Sequence, residues 1–362
     1  MTRFSAVSPK TERNLSLDGL RYFAFLSVYF QHMGWFRQGW VGVDLFFILS
    51  GLLITTNLLH LREREGYLRT FYLRRSMRLL PAYLLYIFIV SIFDPSFRAD
   101  LPWHLTFTGN IKNALFGFNN GPGTILWSLC VEEHFYLIWP FFVQRFSRRA
   151  LANVALLGIL ITAGLRVLFG HYLASYVPLY VLLPFRMDLL LVGAGLALLV
   201  DKPINSTKIA TICFTGGIGS FATLILLGAN LQSFGPGANS VIFNAIGYGL
   251  VGLFFSSVVK FILQFPRSIP ATWLAIKPLA YLGQRTYFMY LWHTAIIIFF
   301  SLKMESPGIA SLLVVTLLAV ASYRFFEAPL MSLGKTWEAK IHSSHSLAKP
   351  ASENHEAVKR AG

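Results

Sequence analysis

Apolar residues run along this chain in windows of about 20 positions separated by short polar stretches. The windows recur at 15–33, 39–59, 76–93, 124–145, 151–169, 173–199, 208–228, 239–262, 279–301 and 308–330. At 1.5 Å per residue each is long enough to cross a hydrocarbon layer of about 30 Å as a helix. The pattern predicts an all-α, polytopic membrane helix bundle of about ten transmembrane helices. It divides the chain into a cytoplasmic N-terminal segment (1–13), a membrane domain (14–331) and a polar cytoplasmic tail (332–362) expected to be disordered. The first window contains Asp18, Arg21 and His32, which a cleavable signal peptide would lack, so that span is expected to stay.

Composition agrees with the pattern. Of 362 residues, 55% are hydrophobic and only 13% charged, with a mean hydropathy of +0.57, well outside soluble-domain averages. The net charge of +15 raises the question of a nucleic-acid partner. The basic residues, however, alternate between loops instead of forming one patch. Arg62, Arg64, Arg69, Arg74, Arg75 and Arg78 follow the second window, Arg145, Arg148 and Arg149 the fourth, Lys202 and Lys208 the sixth, and Lys260, Arg267 and Lys277 the eighth. The intervening loops are poor in charge: 34–38 holds only Arg37, and 229–238 holds none. The positive-inside rule then puts both termini and the arginine-rich loops in the cytoplasm, and excludes nucleic acid as the reason for the charge. Cys130 and Cys213 both fall inside windows, so neither a disulfide framework nor a CxxC metal site is expected.

Ionisable side chains inside such spans cost roughly 2.5–3.5 kcal/mol each, so each is a candidate for function. Arg21 and His32 are 11 residues apart, roughly 16 Å along a helix axis and only about 20° apart in rotation. Asp18 shares that face and can pair with Arg21. The stretch WSLCVEEHFYLIWP places Glu132 and Glu133 at the expected depth of His32, between Trp127 and Tyr136, and YLWH brings His293 to the same half of the membrane. Two histidines and two carboxylates in one layer suit acid–base chemistry in which a base needs an orienting partner. FYLRRSMRLLP offers Arg74, Arg75 and Arg78 as a phosphate clamp or simply as topogenic charge. Arg186, deep in its span between Pro184 and Asp188, is a candidate for a substrate cavity. His293 with Trp292 also fits an interfacial aromatic belt, and Arg324 with Glu327 a structural ion pair.

These stretches, together with GVDLFFILSGLLIT, PFRMDLLLVGAGLA, LGQRTYFMYLWH and FFEAPL, resemble in order the signatures of the acyltransferase 3 family over roughly residues 14–331. The resemblance implies a ten-span enzyme of the bacterial inner membrane. Such an enzyme moves a short acyl group, acetyl foremost, from cytoplasmic acyl-CoA to a hydroxyl of a saccharide acceptor, with no tightly bound cofactor. In this chain it implies catalytic roles for His32, Glu132 and Glu133, donor binding by Arg21, Arg74, Arg75 and Arg78, and substrate contacts from Asp18, Trp127, Tyr136, Arg186 and His293. His32 would act as general base on the acceptor or as a transient acyl carrier, oriented by Glu132 or Glu133. Two departures are visible: His134 stands where the family has Gln, as a second base or a substitute for an amide hydrogen bond, and Cys130 stands where a small residue is common. Some members also carry a C-terminal extracytoplasmic SGNH domain, for which the tail here is too short. Transfer is then expected to finish in the membrane domain or with a partner. The rival readings are a secondary transporter of a small anionic or sugar substrate, which would favour an inverted repeat that is not detected, and a catalytically idle relative, which would have lost His32 or the paired Glu.

Overall fold

The computed structural model describes residues 14–199, 207–230 and 235–347. All ten predicted windows are helical, and the described residues contain no strand. The long helices are α1 (Leu15–His32), α2 (Val41–Leu61), α3 (Tyr67–Phe93), α4 (Leu126–Arg145), α5 (Arg148–Tyr172), α6 (Leu183–Leu198), α7 (Thr207–Asn230), α8 (Tyr248–Gln264), α9 (Thr286–Ser301), α10 (Gly308–Ser322) and α11 (Ala328–Leu347). Among the described residues seven helices are long and apolar enough to cross a membrane. Neither α1 nor α4 is among them, because their ionisable residues dilute the apolar run, and α9 has only 16 residues.

Local chemistry sets the helix ends. Asn14 accepts hydrogen bonds from the backbone N–H groups of Ser16 (3.0 Å) and Leu17 (3.2 Å), capping α1 and fixing the phase of everything on it. Gly66, at φ +71°, turns the chain into α3, which begins at Tyr67 and not at 76. The earlier start arises because 67–80 lacks Gly and Pro, so the arginine-rich stretch continues the helix. Between α3 and α4 lie three short helices, Pro95–Ala99, Leu101–Leu105 and Gly109–Phe116. His104 stacks there on Phe97 at 4.3 Å; burial pushes its imidazole down to about 4, so it packs as a neutral aromatic ring.

Two expectations about the chain's end change. Helix α11 runs on to Leu347, since 335–347 holds neither Gly nor Pro; residues 348–362, like 1–13, lie outside the described residues. A π-helical turn, Tyr323–Glu327, joins α10 to α11 and alters the rotational step on which an Arg324–Glu327 pair depends. Arg324 is exposed over the Phe325 ring, whereas Glu327 is buried and accepts from Ser322 Oγ at 3.0 Å, with Arg78 and Arg285 as its neighbouring cations.

Helix α2 forms the spine, packed along α6, which in turn packs on α5. The α2–α6 contact is backbone to backbone: a methyl group added to Gly51 would overlap the Leu190 carbonyl, and one added to Gly193 would overlap that of Ile48. Close crossing through small residues is how helices gain van der Waals contact where the solvent is itself apolar. Beside the crossing lie two buried ion pairs, Asp44 with Arg186 and Arg166 with Asp188 at 2.7 Å. They tie α2 to α6 and α5 to α6. Arg166 also donates to the carbonyls of Asn244 (3.2 Å) and Phe185 (2.7 Å), and the Arg186 guanidinium lies over the Tyr248 ring at 4.3 Å.

Two predictions concern this spine. Gly51→Leu should lower the thermal midpoint of the detergent-purified protein, since overpacking costs about 1–3 kcal/mol, whereas Gly195→Ala, where nothing lies within 4 Å, should leave it unchanged. Asp44→Asn strands Arg186 among aromatic rings and should destabilise by about 3–5 kcal/mol. In the same melting assay the double variant Asp44→Asn/Arg186→Met should recover much of that loss.

Candidate active site

Two layers of chemistry occupy opposite ends of α1. At the Arg21 end, Glu132 and Glu133 of α4 converge on Arg75 of α3, at 3.6 Å and 3.9 Å. Glu132 also accepts from Ser50 Oγ (2.8 Å) and Tyr136 OH (2.7 Å), and the Arg75 guanidinium lies 3.7 Å from the Tyr136 ring centroid. A proline makes this convergence possible. Pro140 inside α4 has no N–H, which leaves the carbonyl of Tyr136, one turn earlier, without its helical donor. Tyr72 OH of α3 donates to that carbonyl at 3.3 Å, and Tyr67 OH donates to the Pro140 carbonyl at 3.0 Å. The helix bearing the arginine is thereby pinned to the helix bearing the glutamates.

The expected arginine cluster is divided by this arrangement. Arg74 and Arg78 are exposed on α3, while Arg75, about 100° round the helix from Arg74, turns inward to the carboxylates. Glu132 also lines a small cavity of about 50 Å³ with Arg21, Ser128 and Tyr290. The carboxylates therefore sit in the Arg21 layer and not, as expected, against His32. Sequence places the start of α4 only approximately, and the depth and rotation of the helix against α3 come from packing.

At the other end of α1, His32 opens onto a cleft of about 910 Å³. Its partners are the Val28 carbonyl, 2.9 Å from Nδ1, and His293 Nε2, 3.3 Å from the same atom. His293 is fully buried, with its own Nδ1 2.8 Å from the Tyr290 carbonyl. Carbonyl oxygens only accept, so both Nδ1 atoms carry the protons. His293 Nε2 is then an acceptor that shares the His32 Nδ1 proton with Val28. The remaining ring nitrogen, His32 Nε2, keeps its lone pair and has no partner among the described residues. A neutral imidazole with one nitrogen anchored and the other bare can act as a base or a nucleophile.

Of the five expected substrate contacts, Trp127 lines the cleft. The other four line neither this cleft nor the small cavity. Asp18 is buried and accepts from Gln284 at 3.3 Å; Tyr136 holds Glu132; Arg186 is spent on Asp44; His293 stands behind His32. The His134 imidazole has the Phe107 backbone as a hydrogen-bond partner. Residues that the sequence did not single out complete the site. Tyr290 and Val43 line both cavities and separate them, and Tyr290 OH lies 2.6 Å from Ser128 Oγ. The signal for the ion pairs was present: two acids and two arginines, Asp44, Asp188, Arg166 and Arg186, stand inside otherwise apolar windows, an exact charge balance.

A family model described as an acyltransferase domain matches residues 14–323. O-acetyltransferase OatA of Staphylococcus aureus is 31% identical over an alignment of 354 residues that covers 88% of this chain and 57% of that protein. Peptidoglycan O-acetyltransferase OatA of Listeria monocytogenes is 32% identical over 359 residues, covering 88% and 56%. The chain thus spans little more than half the length of these relatives. No solved structure matches it. With the family model matching most of the membrane domain, and with the site residues brought into two layers, the chain belongs to the acyltransferase 3 family.

Proposed function

We propose that this protein is an integral-membrane O-acyltransferase that moves an acyl group, acetyl foremost, from cytoplasmic acyl-CoA to a hydroxyl of a saccharide. The observation that carries the reading is the state of His32, which lines the cleft with Nδ1 anchored and Nε2 without a protein partner among the described residues. Two further features support it. The cleft and the small cavity meet at Tyr290 and Val43, so the Arg21 end and the His32 end are served by adjoining spaces. Relatives of this chain carry the names of O-acetyltransferases, one of them acting on peptidoglycan.

In this reading the ten long helices up to α10 cross the inner membrane, with both termini and the arginine-rich loops in the cytoplasm. The CoA phosphates meet Arg74 and Arg78 at the surface, and Arg21 receives the inner end of the donor. The acceptor hydroxyl lies against His32 Nε2, which takes its proton as the oxygen attacks the thioester carbonyl. The C–S bond breaks, and the departing thiolate collects the proton to leave as free CoA thiol. If His32 instead carries the acyl group, Nε2 attacks first and the acceptor oxygen displaces it in a second step. Glu132 and Glu133 act through Arg75, holding the inner layer in place.

His32→Ala should reduce transfer of labelled acetyl from acetyl-CoA to glycans by about 10²–10⁴-fold, the range of general acid–base catalysis, while the protein elutes and melts as wild type. His293→Phe should lower kcat more than it raises the KM for either substrate, because it frees the His32 ring without touching the binding surfaces. Stable label on wild-type protein in the absence of acceptor, lost in His32→Ala, marks the acyl-histidine route. Unlabelled but active protein marks direct transfer.

A further inference from the structure

The reading above leaves the acceptor's chemistry open, and the walls of the cleft narrow it. Aromatic side chains are prominent in the cleft lining, among them Trp40, Trp127, Tyr176, Tyr180 and Tyr290, with the Trp127 and Tyr180 rings 4.7 Å apart. Amides from Gln31, Gln38, Asn119 and Asn120 face the same space. Flat rings for the C–H faces of a pyranose and amides for its hydroxyls suit a saccharide. Neither feature distinguishes a neutral sugar from a charged one.

Arg37 does. Among the described residues lining the cleft it is the single side chain with a permanent charge, and no carboxylate lines the cleft with it. It also stands against the topogenic trend, since the loop at 34–38 belongs to the charge-poor set in which a lone arginine has no orienting role. Of the other cations in these charge-poor loops, Lys112 pairs with Asp100, Lys303 lies over the Phe299 ring at 5.4 Å, and Arg98 reaches the Ser91 carbonyl at 3.5 Å; none of them lines the cleft. Arg37 is exposed and has no carboxylate within ion-pair distance among the described residues.

The turn that carries Arg37 is fixed. It opens the 3₁₀ turn Arg37–Trp40, whose Gly39 carbonyl accepts from Ser27 Oγ of α1 at 3.1 Å. A methyl group at Gly39 would overlap the Ser27 carbonyl, so backbone meets backbone here as well. Arg37 is thus presented from a braced turn five positions beyond His32, on the wall of the same cleft. A guanidinium so placed recognises a carboxylate or phosphate by paired N–H donors.

We propose that the acceptor is a saccharide bearing an anionic substituent, a carboxylate or a phosphate, and that Arg37 is the residue that selects it. The inference rests on the acyl-acceptor reading of the cleft.

The test uses the full chain in nanodiscs with labelled acetyl-CoA and three acceptors: a neutral N-acetylglucosamine tetramer, the same tetramer bearing a carboxylate, and the same bearing a terminal phosphate. Wild type should favour at least one anionic acceptor by about tenfold in kcat/KM, mostly through KM, and the better of the two identifies the group read. Arg37→Gln should bring that ratio close to one, and Arg37→Lys should keep part of it. Measurable transfer with a wild-type ratio near one, or a preference that Arg37→Gln leaves intact, overturns the inference while acyl transfer stands. No transfer to any of the three, with no label on the protein, overturns both.

Discussion

Val28 sits one turn before His32, and its carbonyl accepts the Nδ1 proton of the ring at 2.9 Å. The chemistry of the cleft depends on this short-range contact. An imidazole free to turn would divide its proton between two nitrogens and offer a lone pair in the right place only part of the time. Held to Val28, the ring keeps its proton on Nδ1 and leaves Nε2 with its lone pair. His293 reinforces the choice, because its own Nδ1 is committed to the Tyr290 carbonyl and its Nε2 can only accept. The C-terminal end of α1 favours positive charge at this position, which suits the imidazolium formed when Nε2 takes a proton.

The rest of the bundle keeps that end of α1 in place under one rule: a polar group in an apolar surrounding must find a partner. Pro140 breaks the rule for one carbonyl, and Tyr72 restores it while pinning α3 to α4. Asp44 pairs with Arg186 and Arg166 with Asp188, across α2, α5 and α6. Glu132 is satisfied three times over, by Ser50, Tyr136 and Arg75. Among the residues that line the cleft, His32 has an Nε2 with no protein partner and Arg37 has no carboxylate partner among the described residues.

How much of this the chain disclosed depended on the kind of information required. Hydrophobic windows locate helices well, since burial in hydrocarbon is written residue by residue, and all ten appear. Separation within one helix is also legible: Arg21 and His32 line different cavities towards opposite ends of α1. Rotation relative to a neighbour is not, because it is set by contacts such as Gly51 against Leu190 that join residues far apart in sequence. Depth relative to another helix is hidden in the same way: Glu132 lies in the Arg21 layer and Arg75 turns away from Arg74 and Arg78, and neither follows from spacing within one helix. Tyr290 escaped notice for the same reason. A tyrosine in an apolar helix reads as packing until its hydroxyl is seen 2.6 Å from Ser128.

That tyrosine bears on the economy of the proposed reaction. If, as proposed, the donor and the acceptor reach the site from different ends of the bundle, an open channel between them would let water reach the thioester. Tyr290 and Val43 stand where the two spaces meet, and the Tyr290 hydroxyl also approaches the Ile125 carbonyl at 3.4 Å, so the partition is held from the α4 side. The same residue supplies the carbonyl that fixes the His293 tautomer. A displacement of Tyr290 that admits the thioester would therefore also disturb the hydrogen bond behind His32. In the proposed reaction, one turn of α9 thus carries both the side chain between the two spaces and the carbonyl that fixes the residue behind His32.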